Sequence, residues 1–346
     1  MTRSTLRIDA NIGTGSYGGL EDIRAAASAA ETSGFDALWS SEAQHDPFLP
    51  LLIAAEVTST LQVGTSIAVA FARSPMTLAQ TAYDLQSLTG GRFMLGLGSQ
   101  VKPHITRRFS MPWSPPAARM REYAQALKAI WTAWQDQTPL KFVGEHYQHT
   151  LMTPFFSPEP HSYGAPPIYI AAVGPDMTRV AGEVADGVIL HGFTTRRYIE
   201  EISVPAIVEG QTSADRADDS CAVSLMGFVV SGDTDAEMAR SADAVRQQIA
   251  FYGSTPAYRP VLELHGWGDL ADSLSELARQ GGDAWATMGQ LVTDEVLEEF
   301  AVISPRDNLA QAIKQRFDGL LDRFSFYVPY EVPAGYWDST VRELRA

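Results

Sequence analysis

Apolar and polar positions along this chain follow two rhythms that replace one another at short intervals. Leu6–Ile12 reads as a strand, and Phe35–Ser40, Leu61–Phe71 and Phe93–Gly98 are short, largely apolar runs, the pattern of strands buried on both faces. Between them the spacing turns helical. Leu20–Ser33 places Ile23, Ala26, Ala27 and Ala30 on one face and meets a stop at Gly34, and two more helices are predicted from Phe48 to about Thr58 and over Pro75–Thr89. The second half repeats the theme. Pro115–Trp134 carries Met120, Tyr123, Leu127, Ile130, Trp131 and Trp134 at helical steps. Strands are expected at Ile168–Ala172, Val188–His191, Ala222–Val230 and Phe324–Val328, and helices at Asp176–Ala185, Arg197–Val208, Thr234–Phe251 (capped by Asp233 or Thr234) and Pro305–Phe317. Eight parallel strands with interleaved helices predict an α/β fold, a single closed (β/α)8 TIM barrel over residues 1–346. Insertions are expected at about 136–165, rich in turns and aromatics, and 253–304, where helical patches follow in an order the pattern does not resolve.

An open doubly wound sheet is the competing architecture. Gly13-Thr14-Gly15-Ser16-Tyr17-Gly18 matches the dinucleotide GxGxxG, and Glu42 supplies the acidic residue that motif requires near the end of the second strand. A third and fourth strand of the same kind follow without a break, which favours a loop at the top of the first barrel strand.

Composition narrows the function. Lys+Arg number 26 against 41 Asp+Glu among 346 residues, a formal charge of −15. That balance argues against nucleic acid or an anionic membrane as partner, since both need clustered positive charge. The lone Cys221 excludes a disulfide framework and any CxxC zinc site. The first residues lack an apolar signal core, and no run reaches the roughly 20 apolar residues of a membrane span, so a cytoplasmic protein is expected.

In a barrel, chemistry collects where strands end. Those ends read Asn11 and Gly13; Ser40, Ser41, Glu42 and His45; Ser66, Ala68 and Ala70; Ser99 and Gln100; Val173 and Gly174; His191 and Gly192; Met226; and Tyr327. The set is small and short of charge. It carries no HxH, no paired carboxylates and no strand-end lysine beyond Lys102, so a metal hydrolase, a glycosidase and a Schiff-base aldolase are poorly supported. Small rim residues suit a flat aromatic cofactor across the barrel mouth. His104, Arg107 and Arg108 form a cationic cluster suited to an anionic cofactor tail or substrate, or to surface pairing with the many carboxylates. Phe155, Phe156, Tyr163, Trp113 and Tyr252 are candidates for an apolar pocket wall or for loop core. His146, His149 and His161 have no ligand spacing, and no metal is expected.

The stretch Ala68–Ala82 (AVAFARSPMTLAQTA), followed by Asp84-Leu85-Gln86, Gly90-Gly91-Arg92-Phe93 and Leu95-Gly96-Leu97-Gly98, resembles the bacterial-luciferase-like flavin and deazaflavin oxidoreductase superfamily. The likeness continues through Arg119, Arg121-Glu122 and Ala181-Gly182-Glu183 to Ala185-Asp186-Gly187. It covers most of residues 5–195 and is nearest to the branch that uses coenzyme F420, a deazaflavin. The resemblance implies an F420-dependent oxidoreductase passing a hydride between cofactor and a small organic substrate. FMN-dependent monooxygenation with a partner flavin reductase is the alternative, and a barrel that only binds flavin a third reading.

Residue by residue, the resemblance implies a non-prolyl cis peptide at Ser66–Ile67, with Ser66, Ile67 and Ala68 supporting the ring. Gly98, Ser99 and Gln100 would meet the cofactor's polar edge. Ala172, Val173 and Gly174 match a phosphate cradle ahead of a helix, with Arg179 as a helper. The charge pattern, not the resemblance, makes Arg107 and Arg108 candidates for the anionic tail. Members that move protons commonly carry an Asp-His pair after the second strand. Here Ser41-Glu42-Ala43-Gln44-His45 departs from that pattern, so Glu42 stands in the acid's place and His45 is the candidate general acid or base. Ala-rich helices at Leu51–Val57 and Ala79–Leu88 suit a homodimer face.

Overall fold

The computed structural model describes residues 6–12, 18–282 and 284–345. Eight parallel strands close into a barrel: β1 (Arg7–Asn11), β2 (Ala37–Ser40), β3 (Gln62–Thr65), β4 (Phe93–Gly98), β5 (Ile168–Ala172), β6 (Gly187–Leu190), β7 (Ala222–Val230) and β8 (Arg323–Tyr327). Neighbours pair in sequence order, and Ile8 opposite Phe324 joins the last strand to the first. The expected loop signature at residues 13–17 lies outside the described residues, but the closed sheet settles the architecture against the doubly wound alternative.

Strand alternation sorts the side chains. Ile8, Leu38, Val63, Leu95, Ile170, Val188 and Leu225 face outward and pack under the helices. Trp39, Met94, Tyr169 and Ile189 point inward and fill the barrel. The surrounding helices include α1 (Leu20–Ser33), α2 (Leu49–Glu56), α3 (Pro75–Leu88), α4 (Pro116–Gln135), α5 (Pro175–Val184) and α6 (Val204–Ser213). α1 buries Ile23, Ala27 and Ala30 and stops at Gly34, whose left-handed φ of 87° turns the chain back toward β2. α7 (Asp235–Gly253) starts at Thr234, whose hydroxyl accepts the Glu237 N–H.

Three stretches depart from the expectation. The predicted strand Leu61–Phe71 is broken: β3 ends at Thr65, the Ser66–Ile67 peptide is cis, and only Ala68–Val69 rejoins the sheet, beside β4. A side chain causes the departure. Thr65 Oγ1 accepts the Gly96 N–H (2.9 Å) and donates to the Gly96 carbonyl (2.7 Å), taking over groups a backbone ladder would use. A short parallel strand, Ala301–Ile303, extends the sheet beyond β7 within the helical stretch 253–304. A helix at Asp338–Arg345 packs against α1, where the sequence pattern gave no element. Residues 136–165 hold a two-residue hairpin anchored by Glu122, which accepts N–H groups from Glu145, His146 and Tyr147.

Candidate active site

The strand ends meet at one mouth. A cavity of about 820 Å³ opens there, lined by Asn11, Trp39, Ser41, Ser66, Met226, Tyr252 and Tyr327, and continues outward between α1 and residues 332–338. Its floor is a buried ion pair that the sequence reading missed. Arg323 and Asp9, each about 1% exposed, form a two-bonded pair (Nε to Oδ2 2.7 Å, Nη2 to Oδ1 2.8 Å); Trp39 Nε1 also donates to Asp9 (2.8 Å), and Arg323 to Gln62 (3.0 Å). The available signal was weak: Asp9 sits at an inward position of the first strand, and Arg323 immediately precedes the predicted last strand.

The structure brings Ile67 against Gly98, with Ala68 opposite Leu97. A Cβ at Gly98 would stand 2.6 Å from Ile67 Cδ1, so a larger residue there would displace the Ile67 side chain. Ser99 and Gln100 follow at once, half-buried, and Gln100 has φ 56°. Glu42 belongs to the same construction. Its nearly buried carboxylate accepts the Val69 N–H (2.7 Å) and pairs with Arg73 (2.6 Å), while its own N–H bonds the Ile67 carbonyl (3.0 Å). Glu42 therefore braces the Ser66–Val69 segment. His45 is exposed on the loop that follows.

Arg107 and Arg108 occupy a single wide helical turn, His104–Arg108, pinned by buried Ile105. Both are exposed. Arg108 donates to the Ala43 carbonyl (2.6 Å), which ties this turn to the Glu42–His45 loop. Among the described residues Arg107 has no ion pair. Arg179 is placed differently: Glu183 (3.1 Å), Asp176 (3.5 Å) and Glu209 (3.7 Å) surround it. Arg179 is thus held by carboxylates, while the backbone of Ala172, Val173 and Gly174 leads into the start of α5. Beside it, the buried Thr194 hydroxyl has no hydrogen-bond partner and lines a small cavity with Ala172, Val173 and His191.

Opposite lies an aromatic wall. His191 Nδ1 accepts the Phe193 N–H (3.0 Å), which leaves the proton on Nε2 to meet the Tyr258 hydroxyl (3.2 Å). Burial lowers the His191 pKa to about 4, and burial pushes that of Tyr258 up to about 12. The Tyr252 and Tyr327 hydroxyls are 2.6 Å apart. The sequence placed Tyr327 at a strand end and offered Tyr252 for a pocket wall or loop core; their pairing joins a helix to a strand 75 residues away.

With this geometry in view, comparison with known proteins defines the class. Residues 3–323 match the family model of luciferase-like monooxygenases, and the chain belongs to that family. The chain is 54% identical over 298 residues (86% of this chain, 87% of the other) to an uncharacterized protein of Mycobacterium tuberculosis. It is 26% identical over 314 residues (88% and 85%) to an F420-dependent glucose-6-phosphate dehydrogenase of Nocardia farcinica. Among solved structures, the coenzyme F420-dependent tetrahydromethanopterin reductase of Methanopyrus kandleri shares the fold with a TM-score of 0.76 at 20% identity, covering 99% of this chain and 98% of that one. Relatives of this kind are oxidoreductases or monooxygenases, and the chain is an enzyme of that broad type. Among the described residues no helix is long and apolar enough to cross a membrane.

Proposed function

We propose that the protein is an F420-dependent oxidoreductase. The observation that carries this reading is the mouth itself: a wide, largely apolar cavity at the strand ends, and in a separate small cavity beside the start of α5 an unpartnered buried hydroxyl at Thr194. The F420-dependent relative supports the choice of cofactor. The residues fit such a group. Ser66, Ile67, Ala68, Gly98, Ser99 and Gln100 would hold the ring; Ala172, Val173 and Gly174, with Thr194, would hold a phosphate; and Arg107 and Arg108 would meet an anionic tail. When bound, the deazaflavin supplies hydride chemistry at a ring carbon. The chain's own part is orientation and a largely apolar chamber. Glu42 acts as a positioning residue through Val69 and Arg73. The family's name favours one second reading, an FMN-dependent monooxygenase served by a separate flavin reductase.

Fluorescence titration of the purified protein with F420 and with FMN tests the choice. Tighter binding of F420 is expected. Tight FMN binding without detectable F420 binding overturns the proposal in favour of the monooxygenase, and binding of neither overturns both. Replacing Arg107 and Arg108 by Ala is expected to weaken F420 more than its phosphate-free, tail-free deazaflavin; equal losses would remove the anion role.

A further inference from the structure

Tyr252 and Tyr327 reach the mouth from independent elements, α7 and the end of β8, and their hydroxyls meet at 2.6 Å. Both are half-buried and both line the main cavity beside Met226 and Ser66. The surrounding packing fixes them. Tyr327 stacks on Phe228 (centroids 4.6 Å, planes 18° apart) and lies so close to Gly192 that a Cβ there would stand 2.7 Å from its ring. Tyr252 meets the edge of His191 at 4.6 Å, and Gln248 also reaches its hydroxyl.

Two hydroxyls share one hydrogen bond. Whichever donates, the second proton is left over, and it belongs to a residue of the cavity wall. Burial raises the pKa of both tyrosines, so both keep their protons at neutral pH. The charged side chains lining this cavity are Asp9, which Arg323 neutralises, and Asp338 toward its outer end, and much of the wall is alanine and aromatic rings. An anionic substrate would find no lining cation there among the described residues. A neutral one would meet an apolar wall with one pair of hydroxyls.

From this we infer that the Tyr252–Tyr327 pair is the site for the substrate's oxygen, and that the substrate class is an uncharged, largely apolar ketone or its secondary alcohol. The inference rests on the F420 reading for its redox partner. In the reducing direction the carbonyl carbon receives a hydride from the reduced deazaflavin, which is thereby oxidised. A C–H bond forms, the C=O π bond opens, and its electron pair takes the proton of one tyrosine O–H to give the alcohol. The pair, one proton short, regains it from solvent. Oxidation of the alcohol runs the same steps in reverse. The step needs no further reactant.

Infrared spectroscopy of protein-bound cyclohexanone, carbon-13 labelled at the carbonyl, tests the inference without cofactor. Wild type is expected to lower the carbonyl stretch of the bound ketone relative to the ketone in hexane. Tyr252→Phe and Tyr327→Phe are each expected to abolish that shift while retaining the near-ultraviolet circular dichroism of wild type; Tyr258→Phe is expected to keep it. With reduced F420, kcat for the ketone should fall about 100-fold in either pair variant, with KM changing far less. An unchanged stretch in both pair variants overturns the inference, as does failure of wild type to bind cyclohexanone and cyclohexanol. Failure of F420 to bind, with the infrared shift present and lost on substitution, overturns the F420 reading and leaves the oxygen site standing.

Discussion

Replacing Asp9 by Asn is expected to destabilise the protein more than most single substitutions. The carboxylate accepts two bonds from Arg323 and one from Trp39, and both charged side chains are about 1% exposed. Neutralising it leaves a guanidinium buried with Gln62 at 3.0 Å and the Trp39 ring at 5.7 Å. Breaking a buried pair from one side typically costs about 3–5 kcal/mol, against a total stability of roughly 5–15 kcal/mol. Removing both charges with volume kept, as in Asp9→Leu with Arg323→Met, relieves that penalty. The residual cost is about 1–3 kcal/mol, since the Trp39 indole N–H loses its acceptor. The double variant should therefore be more stable than Asp9→Asn. Urea unfolding followed by circular dichroism and tryptophan fluorescence measures each corner of the cycle. A loss below about 1 kcal/mol for Asp9→Asn, or a double variant less stable than the single one, would refute the reasoning.

His191 makes stability depend on pH. Its folded pKa of about 4 lies below the ordinary value of 6.5, so between those values the unfolded chain binds a proton that the folded one does not. Stability then falls as pH drops from 6.5 to 4, by up to about 1.4 kcal/mol per unit, and His191→Gln should flatten that slope; an identical slope in urea midpoints across this range would disprove it. Gly96→Ala is expected to cost at least about 2 kcal/mol, because its Cβ would lie 1.8 Å from the Thr65 carbonyl, a backbone atom that cannot rotate away. A melting temperature within about 2 °C of wild type would contradict that.

The barrel was legible because its period is local. β4, β5 and β7 begin and end where the apolar runs do, and α1 spans the predicted residues. The break after Thr65 was not legible as hydropathy, since the polar pair Thr65-Ser66 in LQVGTSIAVAF is short enough for a continuous strand to carry; a hydroxyl crossing to Gly96 decides it. Ala301–Ile303 is too short to show a period. At the site, small rim residues could be read from strand ends, whereas Asp9 and Arg323 are separated by 314 positions and nothing local links them. The cis bond was legible only through the family resemblance, which located it at Ser66–Ile67, where it is found.

Charge shows the same division between local and distant effects. The chain carries −15 overall, and many of its arginines are held by carboxylates: Arg73 by Glu42, Arg121 and Arg179 by Glu183, Arg246 by Asp294, Arg323 by Asp9. An anionic tail approaching from solvent therefore meets net repulsion until it is within about a Debye length, roughly 8 Å at physiological salt, of an uncommitted cation. The turn His104–Arg108 offers that condition, because its exposed arginines stand beside the Glu42–His45 loop, whose carboxylate already serves Arg73. Exposed cations placed this way act within that short range on the encounter. If they meet the cofactor tail as proposed, their removal should slow association and flatten its salt dependence more than it speeds dissociation.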